Sequence, residues 1–269
     1  MLTRYLAPLT LLLALAEAPR QAPAQTPRPT PTDTLHKYEN PGGVPTAVKK
    51  PFFKSKGFRA TIVPAVLIGY GISTINNHGF YSSYDAKKDV RNLFGTYRNH
   101  LDNYLQFAPY LEVGGVLLAG VESRNDRVNL GLIVLKSELI MLTSVYAVKT
   151  LTAIQRPDSS ANNSFPSGHT AQAFLAASIV HNEFRDKSPW YGIGAYTLAT
   201  GVAAFRMVNN KHWESDVFAG AGFGILSAHL AYLSHRNRWG RKPIGRDVGI
   251  VPLWSPAGGT GVSVTWRPK

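Results

Sequence analysis

Apolar residues recur at the spacing of a helix face in six stretches, about 60–75, 103–121, 128–151, 168–184, 190–207 and 213–235. Runs of this length and period predict helices rather than strands, so the expected fold is all-α, a bundle of about six core helices. Gly69, Gly71, Gly114, Gly115, Gly220, Gly222 and Gly224 fall inside these stretches. Each lowers intrinsic helix stability, and we read them as sites where neighbouring backbones approach closely.

Outside the bundle the pattern changes. Arg4, the apolar run from Leu6 to Ala16 and the small residues Ala22-Pro23-Ala24 have the layout of an export signal over residues 1–24, the alternative being an uncleaved anchor. Pro27, Pro29, Pro31, Pro41 and Pro45 then rule out regular helix, which makes residues 25–56 a Pro-rich linker or arm. The expected main domain is 57–238. In the tail, 239–269, alternation on both sides of Pro256-Ala257-Gly258-Gly259 predicts a small β-hairpin.

Composition narrows the function classes. Cysteine is absent, which removes disulfides, a thiolate nucleophile and zinc–cysteine sites. The net charge of +13 favours anionic partners, and most of it survives loss of residues 1–24, which carry only Arg4, Arg20 and Glu17. No zinc-finger spacing, aromatic-glycine RNA motif or basic recognition helix is present, so no nucleic-acid partner is expected. An anionic membrane surface is the expected neighbour.

A membrane span needs about 20 mostly apolar residues, and an ionisable group at its centre costs roughly 2.5–3.5 kcal/mol. Glu112 interrupts the second stretch, Lys136 and Glu138 the third, the fourth is short, and mean hydropathy is only −0.10. The expectation is an exported, periplasmic bundle, soluble or peripheral. The alternative is a partly embedded bundle of five spans with the site facing outward and the basic Arg236–Lys242 segment inside.

Three short clusters carry the chemistry: Lys149 with Arg156-Pro157, then Pro166-Ser167-Gly168-His169, then Arg206 with His212 and Asp216. A phosphoryl group needs fixed cations around its oxygens, a nucleophile on one side and a proton donor on the other. His212 and Asp216 are four apart; on a helix the carboxylate accepts the Nδ1 proton, leaving Nε2 a neutral nucleophile. Pro-Ser-Gly-His suits a helix start whose open N–H groups form an anion site, with His169 placed to protonate a departing oxygen. Lys149 and Arg156 lie seven apart, close to two helical turns, so one helix face would hold both. Each cluster alone also has a plain structural explanation: a helix-face hydrogen bond, a helix cap, a solvated basic face. His36, His78, His100, His181, His229 and His235 lack comparable partners, and core packing is the expectation for Tyr104, Tyr110 and Trp213.

With Lys149-x6-Arg156-Pro157, Pro166-Ser167-Gly168-His169 and Arg206-x5-His212-x3-Asp216 in this order, the sequence resembles the type 2 phosphatidic acid phosphatase and vanadium haloperoxidase superfamily over about residues 100–235. The string His212-Trp213-Glu214-Ser215-Asp216-Val217 also looks like the bacterial class A acid phosphatases of that superfamily. The resemblance implies an all-helical core and hydrolysis of phosphomonoesters or diphosphates through a phosphohistidine, with no metal and no other cofactor. It implies His212 as nucleophile, Asp216 as its orienter and His169 as general acid. Lys149, Arg156, Ser167, Gly168 and Arg206 would bind the phosphoryl oxygens. The family's Ser before the arginine is Phe205 here, which removes one auxiliary hydrogen bond. The expected substrate is a phosphorylated lipid, with a soluble phosphate ester next; a vanadium-dependent haloperoxidase and a non-catalytic binder of lipid phosphates are the remaining alternatives.

Overall fold

In a computed structural model the described residues are 55–237, together with the strands 247–255 and 259–267. The expected signal segment and nearly all of the Pro-rich arm lie outside them. Eight helices are seen there: α1 (Lys56–Ser73), α2 (Ser83–Phe94), α3 (Asp102–Leu105), α4 (Ala108–Leu118), α5 (Arg127–Thr152), α6 (Gly168–Phe184), α7 (Pro189–Val208) and α8 (Glu214–Ser234). Strands β1 (Asp247–Ser255) and β2 (Gly259–Arg267) pair antiparallel with Asp247 opposite Arg267, the hairpin expected from the alternation.

The helices start where the side chains allow. Ser55, Ser82, Asp126, Ser167 and Ser188 each accept a hydrogen bond from a first-turn backbone N–H, satisfying donors that have no partner within the helix. α2 was not among the six expected stretches. Its residues are mostly charged or polar, so it shows little apolar stripe, and a capping box between Ser82 and Asp85 is the sequence signal that marks it. The stretch expected over 103–121 is broken into α3 and α4.

α6 forms the axis of the bundle. Phe174, Leu175, Ile179, Val180 and Phe184 are fully buried, and nearly every other position of the helix is buried too, which is why it lacks an amphipathic stripe. It packs on α7 and α8, and α8 in turn packs on α1 and α5. Close packing explains some glycines and not others. A Cβ on Gly220 or Gly224 would lie 2.5 Å from the Ser167 carbonyl oxygen or 2.2 Å from that of Ala171, both on α6 or its cap, and one on Gly71 would lie 2.6 Å from the Ser215 carbonyl oxygen. Gly69, Gly114 and Gly115 face open space, contrary to expectation.

α5 and α8 are long and apolar enough to cross a membrane. Only 22% of the apolar window of α5 is buried, and Leu135, Leu139, Leu142 and Tyr146 are exposed along it. Lys136 and Glu138 do not disqualify it by length or composition, and Glu138 is held by Tyr110 Oη and Gln172 Nε2, each at 2.5 Å. Such apolar outer surface fits association with a membrane.

Candidate active site

The three clusters meet at one end of the bundle. Cluster one lies at the C-terminus of α5 and in the loop after it, cluster two at the N-terminus of α6, and cluster three between α7 and α8. The backbone N–H of Ser167 donates to the carbonyl of Asp216 at 2.9 Å, which joins the second and third clusters directly.

His212 and Asp216 interact, though not along a helix face. α7 ends at Val208 and α8 begins at Glu214, so His212 sits in the connection and Asp216 in the first turn of α8. His212 Nδ1 lies 3.1 Å from Asp216 Oδ2. The same oxygen accepts the Trp213 backbone N–H at 2.8 Å and the Ser164 hydroxyl. The carboxylate is therefore fixed by the helix start and by the loop before α6, and it selects the Nδ1–H tautomer of His212, leaving Nε2 with its lone pair. His212 and Asp216 are both buried.

Lys149 and Arg156 come together by a route that the spacing did not predict. α5 stops at Thr152 with Ala153 in the left-handed conformation, so Arg156 lies in the following loop and shares no helix face with Lys149. Asn163 joins them instead. Its carbonyl accepts from Lys149 Nζ at 2.6 Å and its side-chain oxygen from Arg156 Nε at 3.0 Å. Lys149 Nζ also donates to the Ser164 carbonyl at 3.2 Å.

Arg206, in the last turn of α7, is buried, and its NH1 pairs with Asp102 Oδ2 at 2.5 Å. Its Nε is buried with no hydrogen-bond partner among the described residues. Ser167 caps α6, its hydroxyl receiving the Thr170 hydroxyl at 3.0 Å. Gly168 and His169 occupy the first positions of α6, and His169 Nε2 lies 2.9 Å from Asn103 Oδ1. Phe205 is half-buried beside this group and offers no hydroxyl.

The electrostatics confirm that the clusters share one space. Burial first, then the Arg206 cation, push the His169 imidazole down to about 4; Asp102 pulls the other way, and Arg156 and Lys149 push further down. Burial also takes His212 to about 4 against the upward pull of Asp216, with Arg206 and Lys149 again opposing a proton. Both imidazoles are thus neutral at pH 7 and feel the same two cations. Among the described residues no three His, Asp or Glu side chains gather as metal ligands. The arrangement can hold a tetrahedral anion between cations, with one imidazole oriented by a carboxylate and another beside it.

Several site neighbours carry no motif. Ser164, Asn163, Asp102 and Asn103 become legible only through contacts over many residues of chain. Trp213 is held from outside, its Nε1 donating to the Gln155 carbonyl at 2.7 Å, its ring 5.0 Å from that of Tyr84 and 5.0 Å below Lys87 Nζ. Tyr104 is 77% exposed rather than packed in the core. His229 and His235 bond to Ala60 and Asn129, as structural histidines do.

A family model described as the PAP2 superfamily matches residues 132–240, which contain all three clusters. A lipid A 1-phosphatase of Porphyromonas gingivalis is 38% identical over 141 residues, which are 51% of this chain and 31% of that protein, so the chain spans under a third of this relative's length. The crystal structure of Aquifex aeolicus LpxE gives a TM-score of 0.40 at 21% identity over 54% of this chain and 93% of that one. Over residues 132–240, from within α5 to just past α8, and in its three ordered motifs, the chain is similar to the PAP2 superfamily.

Proposed function

We propose that this protein is a phosphatase that cleaves phosphate from a phosphorylated lipid without a metal ion, through a phosphohistidine on His212. The observation that carries the reading is the Asp216 carboxylate, 3.1 Å from His212 Nδ1 and pinned by the Trp213 N–H. His212 Nε2 attacks phosphorus and forms the P–N bond, and the ester or anhydride P–O bond breaks. His169, protonated in the substrate complex, gives one proton to the departing oxygen, then as the neutral imidazole takes one from the water that attacks phosphohistidine, releasing phosphate, freeing His212 and restoring protonated His169. Lys149, Arg156 and Arg206, with Ser167 and the Gly168 backbone, hold the phosphoryl oxygens and supply the positive charge that a metal would otherwise bring. Asp216 stabilises the imidazolium character that develops on His212.

A lipid substrate is supported by the name of the P. gingivalis relative and by the apolar outer surface of α5. Phosphatidic acid, phosphatidylglycerol phosphate, a polyprenyl diphosphate and a lipid A species all present the required group. The signal-like residues 1–24 and the net charge of +13 support a phosphatase domain over 57–238 that works on the periplasmic side of an anionic membrane.

The test is phosphate release from these four lipids and a nitrophenyl ester in the presence of a metal chelator. Release from a lipid that is abolished by His212→Ala is the expected result. Release that is indifferent to that substitution, or lost on chelation, would overturn the mechanism.

A further inference from the structure

α3 lies before the family-matched region and holds none of the three motifs, yet it touches two of them. Asp102 is 1% exposed, and both of its carboxylate oxygens are engaged: Oδ2 by Arg206 NH1 at 2.5 Å and Oδ1 by Asn209 Nδ2 at 3.0 Å. Asn209 also accepts the Asn99 backbone N–H on its side-chain oxygen at 2.9 Å. The segment 99–103 is therefore stapled to the C-terminal end of α7. The next residue, Asn103, is exposed, and it reaches His169 with Oδ1 2.9 Å from Nε2.

We infer that Asn103 is a positioning residue that fixes the tautomer of His169, with Asp102 anchoring α3 so that the amide stays in register with the imidazole. This rests on the assignment of His169 as proton donor under Proposed function. An amide oxygen accepts only, so neutral His169 carries its proton on Nε2 and presents a bare Nδ1. Nδ1 is then the atom that gains the transferable proton and gives it to the leaving group.

The choice of an amide over a carboxylate also matters. The charges facing His169 are Lys149 from α5, Arg156 from the loop after it, Arg206 from α7 and Asp102 from α3. Burial, and then three cations against one anion, make the imidazolium a strong acid. Asn103 orients it without adding a second anion that would hold the proton back.

The experiment has two arms on the full chain. In the first, imidazole nitrogens are labelled with 15N and His169 is assigned by the signal lost in His169→Gln. The native protein is expected to show Nε2–H in the neutral form, and Asn103→Ala to lose that preference. An Nδ1–H native tautomer, or a preference untouched by Asn103→Ala, would overturn the inference whatever the activity. In the second arm, kcat is followed against pH for native, Asn103→Ala and Asn103→Asp. The carboxylate should move the alkaline limb up by about one pH unit or more, and Asn103→Ala should lower kcat about tenfold or more with KM little changed. Identical limbs in native and Asn103→Asp would reject Asn103 while leaving the phosphatase reading intact. Absence of any His212-dependent release would reject that reading and leave the tautomer measurement to decide Asn103.

Discussion

Asp216 Oδ2 stands 3.1 Å from His212 Nδ1 and is held there by the Trp213 backbone N–H at 2.8 Å and by the Ser164 hydroxyl. One oxygen thus orients the His212 imidazole, the proposed nucleophile, and ties the start of α8 to the loop before α6. Asp216→Asn keeps the shape and removes the charge, and the amide can turn its N–H toward His212 and select the wrong tautomer. We expect kcat to fall by about 10⁴, the size of the loss when the carboxylate that orients the histidine of a Ser-His-Asp triad becomes an amide, with far-ultraviolet circular dichroism unchanged. A loss under tenfold would contradict the role given to Asp216.

The free protein and the bound complex should titrate differently. His169 at about 4 is set by burial and by Arg206, with Arg156 and Lys149 adding to it. A bound phosphoryl anion neutralises those cations and makes protonation of His169 easier, so its value rises in the complex. The alkaline limb of kcat, which reports the complex, should therefore lie at higher pH than that of kcat/KM, which reports the free protein. Steady-state profiles over pH 4 to 9 with a phosphate monoester check this, and coincident limbs would refute it.

Keeping His212 neutral also links pH to stability. Its value is about 4 in the fold and 6.5 for the unperturbed group, so on acidification the unfolded chain takes up a proton that the folded chain refuses. The stability it contributes is whole above pH 6.5 and drains away as pH falls toward 4; His169 acts in the same direction. The melting temperature should fall less steeply over this window in His212→Gln than in the native protein. Parallel curves would contradict the buried neutral state.

Glycines of similar sequence setting should behave oppositely. A methyl group at Gly224 would meet the Ala171 carbonyl oxygen at 2.2 Å and the Leu175 nitrogen at 2.9 Å, both backbone atoms of α6. Neither can rotate away, so Gly224→Ala must push α8 off α6 and is expected to cost about 1–3 kcal/mol. At Gly69 a Cβ meets nothing within 4 Å, and Gly69→Ala should stabilise α1 by about 0.5–1 kcal/mol. Denaturant unfolding of both variants measures the contrast.

The helical class and five of the six core stretches were legible in the chain, because helix period is a local property, and motif spacing was enough to name the eight candidate residues that the fold brings to one end of the bundle. The strand pair was legible too, from the alternation on both sides of Pro256-Ala257-Gly258-Gly259 in the sequence. α2 escaped because charged residues give no apolar stripe, although its capping box was there to be read. How the clusters combine is a different matter. Spacing suggested that Lys149 and Arg156 share a helix face and that His212 and Asp216 do likewise, yet both pairs straddle helix ends and meet through Asn163 and through the first turn of α8.

Residue types and their order along the chain determined which groups this protein brings to its candidate active site. Their orientation was decided only by the fold. Asp102 and Asn103 face Arg206 and His169 across 104 and 66 residues of chain, and no local pattern encodes a contact over such distances. Those contacts exist because α6 buries itself among its neighbours and the glycines of α8 let the helices close, which carries the three motif ends to one place.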